Sequence, residues 1–166
     1  MSEIKLNEVY EVEIEDINHK GQGVAKIEGF TVFVDGGLPG DKSKVKLVNI
    51  KKNYGIGEIV SIVEPSTKRV IPKCKLSYIC GGCQIQGLDY QEQLKIKTNK
   101  VKNDIKKIGH LENVIIHDTL GMDNPYRYRN KAQFPVGRKN KKITIGFYKR
   151  GTHEIVDTNS CIIQHE

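Results

Sequence analysis

The sequence contains no tryptophan, only four phenylalanines among its 166 residues, and no apolar run long enough to cross a lipid bilayer. Hydrophobic residues make up 37% of the chain, which argues against one large core. Two small units, one of them held together by a metal, fit this composition better. The first eight residues carry no apolar segment of the secretory type. We therefore expect a cytoplasmic protein with no membrane partner and with reduced cysteines.

Cysteine is also scarce, but three of the four cysteines lie within ten residues. Five residues separate Cys74 from Cys80, two separate Cys80 from Cys83, and Cys161 follows after a long interval. The two glycines between Cys80 and Cys83 have no Cβ, so the backbone can direct both flanking thiolates at one centre. From the spacing alone, zinc and an iron–sulfur cluster fit about equally well, whereas disulfides would need an oxidising compartment. Either metal group would tie the two ends of a domain together.

Positive charge is concentrated late in the chain. The formal net charge is +7, and residues 121–150 hold nine basic residues against one acid, interleaved with five aromatic residues. Cations beside aromatic faces are typical of a surface for single-stranded RNA, although the same pattern fits a hairpin whose cations are merely solvated. Period-two alternation favours Tyr126 and Tyr128 as core and the neighbouring cations as the outer face. The residues that we expect to contact RNA are Arg127, Arg129, Lys131, Arg138, Lys139, Lys149 and Arg150.

The first part of the chain predicts about five short strands. Residues 9–17 alternate apolar and acidic side chains, and further apolar segments follow at 24–27, 30–34, 45–50 and 56–63, separated by glycine-containing turns. Five strands in under sixty residues indicate a closed or half-closed barrel of the OB type. A linker with prolines at both ends follows, and we place the domain boundary between residues 66 and 67.

Residues 67–166 predict one long helix and a small antiparallel sheet. Asp89 and Glu92 match a capping box, apolar residues recur at helical spacing as far as Ile108, and Gly109 is placed to end the helix. The fold class is therefore mainly β with one helix (α+β): an OB-like barrel, then an antiparallel sheet with a four-cysteine metal site. The strands predicted after the helix lie at 114–117, 126–134, 143–148 and 154–157.

Several motifs carry a family resemblance. The run from Gly21-Gln-Gly23 through Leu38-Pro-Gly-Asp41 resembles a TRAM domain, a small RNA-binding barrel found on tRNA- and rRNA-modifying enzymes. With Cys80-Gly-Gly-Cys83-Gln84, Tyr128-Arg-Asn-Lys-Ala132 and Cys161-Ile-Ile-Gln164, essentially all of the chain resembles the amino-terminal part of the RumA-like 23S rRNA (uracil-5-)-methyltransferases.

The resemblance implies that Cys74, Cys80, Cys83 and Cys161 bind a [4Fe-4S] cluster and that the partner is RNA, with 23S rRNA as the expected substrate. It also implies that a full-length parent transfers a methyl group from S-adenosylmethionine to C5 of a uridine. In that family a carboxy-terminal domain binds S-adenosylmethionine and carries the nucleophilic cysteine. No counterpart of that domain is found here, so we expect a fragment with no catalytic residue of its own.

Two other functions remain open. The chain could be a standalone metal-binding RNA adaptor without catalysis. It could also be related to radical enzymes that carry the same barrel. Those enzymes use three cysteines at tighter Cys-x3-Cys-x2-Cys spacing, which the interval from Cys74 to Cys80 does not provide.

Overall fold

The computed structural model describes residues 4–165, which divide into two compact units. The first unit contains the described residues up to Val70 together with Gly87–Asp89, and the second contains Ile71–Gln86 and the described residues from Tyr90 onward. The domain boundaries predicted from the sequence, 1–66 and 67–166, did not include this return of the chain to the first unit at Gly87–Asp89. Within residues 4–165, no helix is both long enough and apolar enough to cross a membrane.

Two backbone hydrogen bonds hold the returning segment in the first unit. The amide of Val70 donates to the carbonyl of Gly87 at 2.9 Å, and the amide of Asp89 donates to the carbonyl of Lys68 at 2.9 Å. Leu88 lies between them and is buried. Burial of this apolar side chain explains why the chain returns before the helix begins.

The first unit is built on one six-stranded sheet. Its strands are β1 (Val9–Glu13), β2 (Asp16–Ile17), β3 (Gly23–Ile27), β4 (Phe30–Asp35), β5 (Lys42–Ile50) and β6 (Gly55–Glu64). The order is β1-β5-β6-β4-β3-β2, and only the β4–β6 pair is parallel. A closed barrel is therefore not observed: the sheet is open, and β1 and β2 are its edges.

The sixth strand arises because the segment predicted as one strand changes partners midway. Up to Glu13 the chain pairs with β5, and from Asp16 it pairs with β3. At the change of partner, Ile14 donates its amide to the Asp41 carbonyl at 2.9 Å, and Glu15 donates to the Val24 carbonyl at 2.8 Å. The two edge strands of the sheet, β1 and β2, are thus consecutive in the sequence.

Alternation along the strands produces the core of this unit, as the sequence predicts. The buried side chains occupy every second position, with half-buried or exposed residues between them. Gly57 in β6 belongs to the same packing, because a Cβ there would lie 2.2 Å from Cγ1 of Val45. The core cluster consists of Val12, Ile14, Ala25, Ile27, Val32, Val34, Val45 and Leu47.

Asp41 fixes the Leu38–Asp41 turn from inside the protein. Its side chain is fully buried and accepts hydrogen bonds from the amides of Leu38 at 2.7 Å and Ser66 at 2.9 Å. Arg69 supplies the balancing positive charge through its guanidinium. The carboxylate joins the turn to the chain that leaves β6, and a buried carboxylate needs such partners to remain charged.

The second unit contains the helix α1 (Tyr90–Lys107) and a three-stranded antiparallel sheet of β7 (Val136–Lys139), β8 (Lys142–Tyr148) and β9 (Ile155–Asp157). The fold class, mostly β with one helix and two sheets, is confirmed. The predicted helix and the last two predicted strands are found, whereas no strand occurs at 114–117.

The predicted strand at 126–134 is wrong. In this segment the backbone forms only an isolated parallel bridge between Arg129 and Gln164. The cause lies at Arg127, whose φ of 56° interrupts an extended conformation. The sequence also predicted that Tyr128 is buried and Arg127 exposed. In the structure Arg127 is half-buried, and Tyr128 is 49% exposed.

The helix differs from its prediction in two details. Its apolar positions are poorly covered: Val101 is 48% exposed, and Ile108, one residue beyond the helix, is 75% exposed. The residue with left-handed backbone after the helix is His110, with φ of 52°, and not the predicted Gly109. The amide of Gly109 instead donates to the Asp104 carbonyl at 3.0 Å.

Candidate metal centre and nucleic-acid surface

All four cysteines line one cavity in the second unit. Cys74, Cys80 and Cys83 reach it from the segment before the helix, and Cys161 reaches it from the last part of the chain. Ser77 and Phe147 also line this cavity. The structure thus brings together the four side chains singled out by spacing, although 77 residues separate Cys83 from Cys161 in the sequence.

Tight turns place the first three thiols. Ser77 donates its amide to the Cys74 carbonyl at 3.1 Å, and Cys80 donates to the Leu76 carbonyl at 2.8 Å. The amide of Gly82 points at the sulfur of Cys80, with a distance of 3.3 Å. An N–H group directed at a sulfur stabilises a thiolate, which is the form that binds metals.

Gly81 allows the cysteine segment to pair with the end of β8. Its amide donates to the Tyr148 carbonyl at 2.8 Å, and a Cβ at this position would lie only 2.9 Å from that same oxygen. An antiparallel bridge between Cys80 and Lys149 completes the pairing. The glycine is therefore needed for close backbone approach, in addition to the turn that the sequence predicted.

Two arginines support the backbone that carries the thiols. Arg127 donates from Nη1 to the Cys161 carbonyl at 3.0 Å and approaches the Gln164 carbonyl at 3.4 Å. Arg150 donates from Nη2 to the Cys83 carbonyl at 3.2 Å. The sequence predicts that both arginines bind RNA and does not predict these contacts with backbone carbonyls. Arg150 is 67 residues from Cys83 in the sequence, and only the pairing of Cys80 with Lys149 brings them together.

The electrostatics of Cys83 show that the thiols influence one another. Burial raises the pKa of the Cys83 thiol above its ordinary value, and a hydrogen bond with the Gln86 side chain acts in the opposite direction. The neighbouring thiols of Cys161, Cys80 and Cys74 each raise this pKa further, because adjacent negative charges repel. The raised pKa favours the neutral thiol of Cys83, and a metal bound in the cavity would favour its thiolate instead.

No group of three or more His, Cys, Asp or Glu side chains among residues 4–165 is arranged to hold a single metal ion. Two buried donors beside the cysteines also lack a partner within the described part of the chain: the Ser77 hydroxyl and Nε of Arg150. Donors without acceptors fit a cluster whose sulfurs accept hydrogen bonds.

The second unit has very little apolar core. Among its described residues, Ile163 is the only buried hydrophobic side chain, whereas the first unit buries ten. Leu120 is 96% exposed. A unit that buries so little apolar surface needs another source of stability, and a metal group is one that small domains commonly use.

The seven cations predicted to contact RNA occupy four kinds of position. Arg127 and Arg150 bind backbone carbonyls as described, and Arg129 is half-buried at the cysteine cavity. Lys139 forms an ion pair with Glu154 at 2.9 Å. The cations that stay exposed and form no ion pair among residues 4–165 are Lys131, Arg138 and Lys149.

Aromatic side chains occur in the same part of the sequence as these three exposed cations. The rings of Phe134 and Phe147 are 5.1 Å apart between centroids, and Phe134 is 44% exposed. Tyr128 is exposed, while the ring of Tyr126 lies under Nζ of Lys73 at 4.5 Å. The second unit thus has both exposed aromatic side chains and exposed cations, the two kinds of group that bind single-stranded nucleic acid.

Comparison with known proteins adds family information. Residues 4–60 match the model of the TRAM domain. Over 163 residues, the chain is 43% identical to an uncharacterized RNA methyltransferase of Halalkalibacterium halodurans and 46% identical to one of Listeria innocua. In each case the alignment covers 98% of this chain and 36% of the relative. The chain therefore spans just over a third of the length of these curated relatives.

A solved structure shares the fold. The tRNA (uracil-54, C5)-methyltransferase of Pyrococcus abyssi, determined in complex with S-adenosyl-L-homocysteine, aligns with a TM-score of 0.57 over 94% of this chain and 33% of that one. Sequence identity over this alignment is 23%, so the likeness is one of fold.

Proposed function

We propose that this chain, with its TRAM domain and its relatives among the RNA methyltransferases, is the RNA-recognising and cluster-binding part of a (uracil-5-)-methyltransferase. The main observation behind the proposal is that 98% of the chain aligns with these relatives. The cavity lined by all four cysteines supports the cluster-binding part of it. The proposed substrate is a uridine in RNA, with 23S rRNA favoured by the motifs. In the whole enzyme, S-adenosylmethionine would supply the methyl group.

The proposed ligand of the cavity is a [4Fe-4S] cluster held by Cys74, Cys80, Cys83 and Cys161. With four protein thiolates, such a cluster has no open iron, so its contribution is to hold the protein together. The unpaired Ser77 hydroxyl and Arg150 Nε are available to donate to it. Arg127 and Arg150 position the backbone of two ligands through their carbonyls.

RNA recognition is the proposed role of the exposed cations of the second unit. Methylation of C5 requires the uridine to leave its stack, which costs a few kcal/mol. Lys131, Arg138 and Lys149 can bind the neighbouring phosphates, and Tyr128 and Phe134 can stack on displaced bases. These contacts would offset the cost of unstacking. Arg127, Arg129, Lys139 and Arg150 would act through the protein more than through RNA.

Metal analysis tests the cluster. Chain purified without oxygen should contain about four irons and four acid-labile sulfides, and Cys161→Ser should lose them. One zinc and no sulfide would contradict the cluster and leave a zinc module. Asn159→Ser, at an exposed residue near Cys161 that does not line the cysteine cavity, is the matched control and should keep the full iron content.

A chimera tests the methyltransferase. This chain would replace the aligned 36% of the Listeria innocua relative, and 5-methyluridine would be measured in RNA by nucleoside mass spectrometry. We expect the chimera to form 5-methyluridine wherever the intact relative does, and the isolated chain to form none. A chimera that keeps its cluster and binds RNA, yet forms no product beside an active relative, would favour the alternative function, a metal-binding RNA adaptor.

A further inference from the structure

The outer face of the sheet in the first unit carries an aromatic pair that the core does not use. Phe33 lies on β4 between Val32 and Val34, which are both fully buried, so its side chain projects to the opposite face. Its ring centroid is 5.2 Å from that of Tyr54, with the planes inclined at 52°. Tyr54 is 37% exposed, and neither ring belongs to the core cluster.

Two unpaired lysines share a loop with Tyr54. Lys51 and Lys52 follow β5 directly, both are exposed, and neither forms an ion pair within the described residues. The amide of Lys51 donates to the Tyr54 carbonyl at 2.8 Å, which closes the loop and holds the lysines beside the ring. Free cations therefore lie within one short turn of an open aromatic face.

The three lysines of β5 all lie opposite glutamates. Lys42 lies opposite Glu13 on one side and Glu64 on the other, and it forms an ion pair with Glu64 at 2.8 Å. Lys44 lies opposite Glu11, and Lys46 lies opposite Glu58. Four glutamates thus surround three lysines on this face, so a polyanion gains little there. The sequence alone does not distinguish these lysines from Lys51 and Lys52.

We propose that Phe33 and Tyr54 form a stacking platform for the bases of single-stranded RNA, and that Lys51 and Lys52 bind its phosphates. The inference rests on the proposed RNA-binding function and adds a second contact surface, in the first unit. Single strands fit the site because the rings can stack only on bases that are not paired in a duplex. A protein partner would cover the rings equally well but would leave the two lysines without a counter-charge.

Binding of a labelled oligouridylate of about ten nucleotides, within the length that one OB-type domain covers, tests the platform. Fluorescence anisotropy would be measured at several salt concentrations with the whole chain carrying its metal group. Phe33→Leu/Tyr54→Leu should raise the Kd about tenfold with little change in salt dependence. Lys51→Gln/Lys52→Gln should lower the slope of log K against log salt by about 1.4, because each phosphate contact on a single strand contributes about 0.7.

Lys42→Gln/Lys44→Gln is the control, since it removes the same charge from β5, where the lysines lie opposite glutamates. It should change the Kd less than twofold and leave the slope unaltered. Crosslinking of an oligonucleotide containing 5-iodouridine should label Tyr54 or Phe33 in the unmutated chain, which makes the test independent of variant folding. Hydrogen exchange of the β4 and β5 amides would confirm that each variant is folded.

The outcomes separate the platform from the proposed function. If the unmutated chain binds the oligonucleotide, but the aromatic variant binds equally well and the crosslink lies elsewhere, the platform is wrong and RNA recognition stands. In that case the ring pair is a protein-docking or purely structural surface. If the unmutated chain binds no RNA at all, the proposed function fails together with the platform.

Discussion

Arg69 binds the carboxylate of Asp41 through two parallel hydrogen bonds, from Nε to Oδ1 at 2.7 Å and from Nη2 to Oδ2 at 2.6 Å. The carboxylate is fully buried, and the guanidinium is largely so. Loss of one partner leaves the other charge buried without compensation. This pair therefore contributes to the stability of the first unit at the turn that precedes β5.

Asp41→Asn should lower the free energy of unfolding of the first unit by about 3 kcal/mol, because Arg69 loses its counter-charge. Denaturant unfolding followed by circular dichroism would measure it, with hydrogen exchange of β4 assigning the transition. Asp35→Asn is the control: Asp35 is exposed and accepts one hydrogen bond, from Gln22 at 3.2 Å. It should cost less than about 0.5 kcal/mol. Equal effects of the two variants would contradict the role of the buried pair.

Gly57→Ala should destabilise the first unit by about 1–3 kcal/mol, since its Cβ would overlap Cγ1 of Val45. Val45→Ala alone should also be costly because it leaves a cavity. In the double variant the new methyl group enters that cavity, so Gly57→Ala should cost far less than in the original chain. A double-mutant cycle by urea unfolding measures this coupling, and strict additivity would argue against the contact.

Gly81→Ala and Gly82→Ala should behave differently although the residues are adjacent. A Cβ on Gly81 would meet the Tyr148 carbonyl at 2.9 Å, whereas a Cβ on Gly82 would have only an ordinary contact with Sγ of Cys80 at 3.4 Å. We expect Gly81→Ala to weaken the pairing that places Cys80 and to lower the iron content per chain. Gly82→Ala should retain the iron of the unmutated chain. Equal iron contents for the two variants would contradict this prediction.

Arg127→Gln should speed the loss of the metal group, because its guanidinium donates to the carbonyl of Cys161. Arg138→Gln should leave the metal group intact and weaken RNA binding, since Arg138 is exposed on β7. The decay of the cluster absorbance in air and RNA anisotropy would be measured on both variants. A stable cluster and weakened RNA binding in Arg127→Gln would restore the role that the sequence predicted for Arg127.

The ion pair between Lys139 and Glu154 should be visible in their titration. A hydrogen bond from Lys139 and its charge lower the pKa of Glu154 below the ordinary value of 4.5, and Lys149 lowers it less. The pKa of Lys139 is raised by the same partner. Any stabilisation from the pair is therefore lost as pH falls through the Glu154 pKa, or as pH rises through the Lys139 pKa.

Carbon-detected NMR titration of Glu154 checks this assignment. Lys139→Gln should return the pKa of Glu154 towards its ordinary value, and Lys149→Gln should move it in the same direction by a smaller amount. A larger effect from Lys149→Gln would show that the hydrogen bond between Lys139 and Glu154 is not formed in solution.

Local patterns predicted the elements of this protein better than their assembly. Period-two alternation identified the strands around Val32 and Val45 because each has one buried face. The six-stranded order of the open sheet depends on where the chain changes partners, at Ile14, and no side-chain pattern indicates the hydrogen bond formed there. The alternation of residues 126–134 predicted a strand that does not form. Arg127 has a left-handed backbone conformation, which is incompatible with an extended strand.

The same distinction applies to the candidate site. The close spacing of Cys74, Cys80 and Cys83 predicted that turns bring these three thiols together, and all three line one cavity. Cys161 was added as the one remaining cysteine, and it lines the same cavity. Their binding of a metal group stays a prediction. Charge composition did not separate cations that bind backbone carbonyls, such as Arg150, from cations open to solvent, such as Lys131. That separation depends on the backbone that folds next to each side chain, and only the structure shows it.

The pairing of residues 68–70 with 87–89 affects how the cavity is assembled. Residues 71–86, which carry three of the four cysteines, form a ring closed at its base by the hydrogen bonds of Val70 and Asp89. Folding of the first unit therefore holds the two ends of this ring together and restricts the conformations open to its three cysteines. Only Cys161 must then be brought in from a distance. Assembly is thus expected in two stages, with three thiols gathered early and the fourth completing the site last.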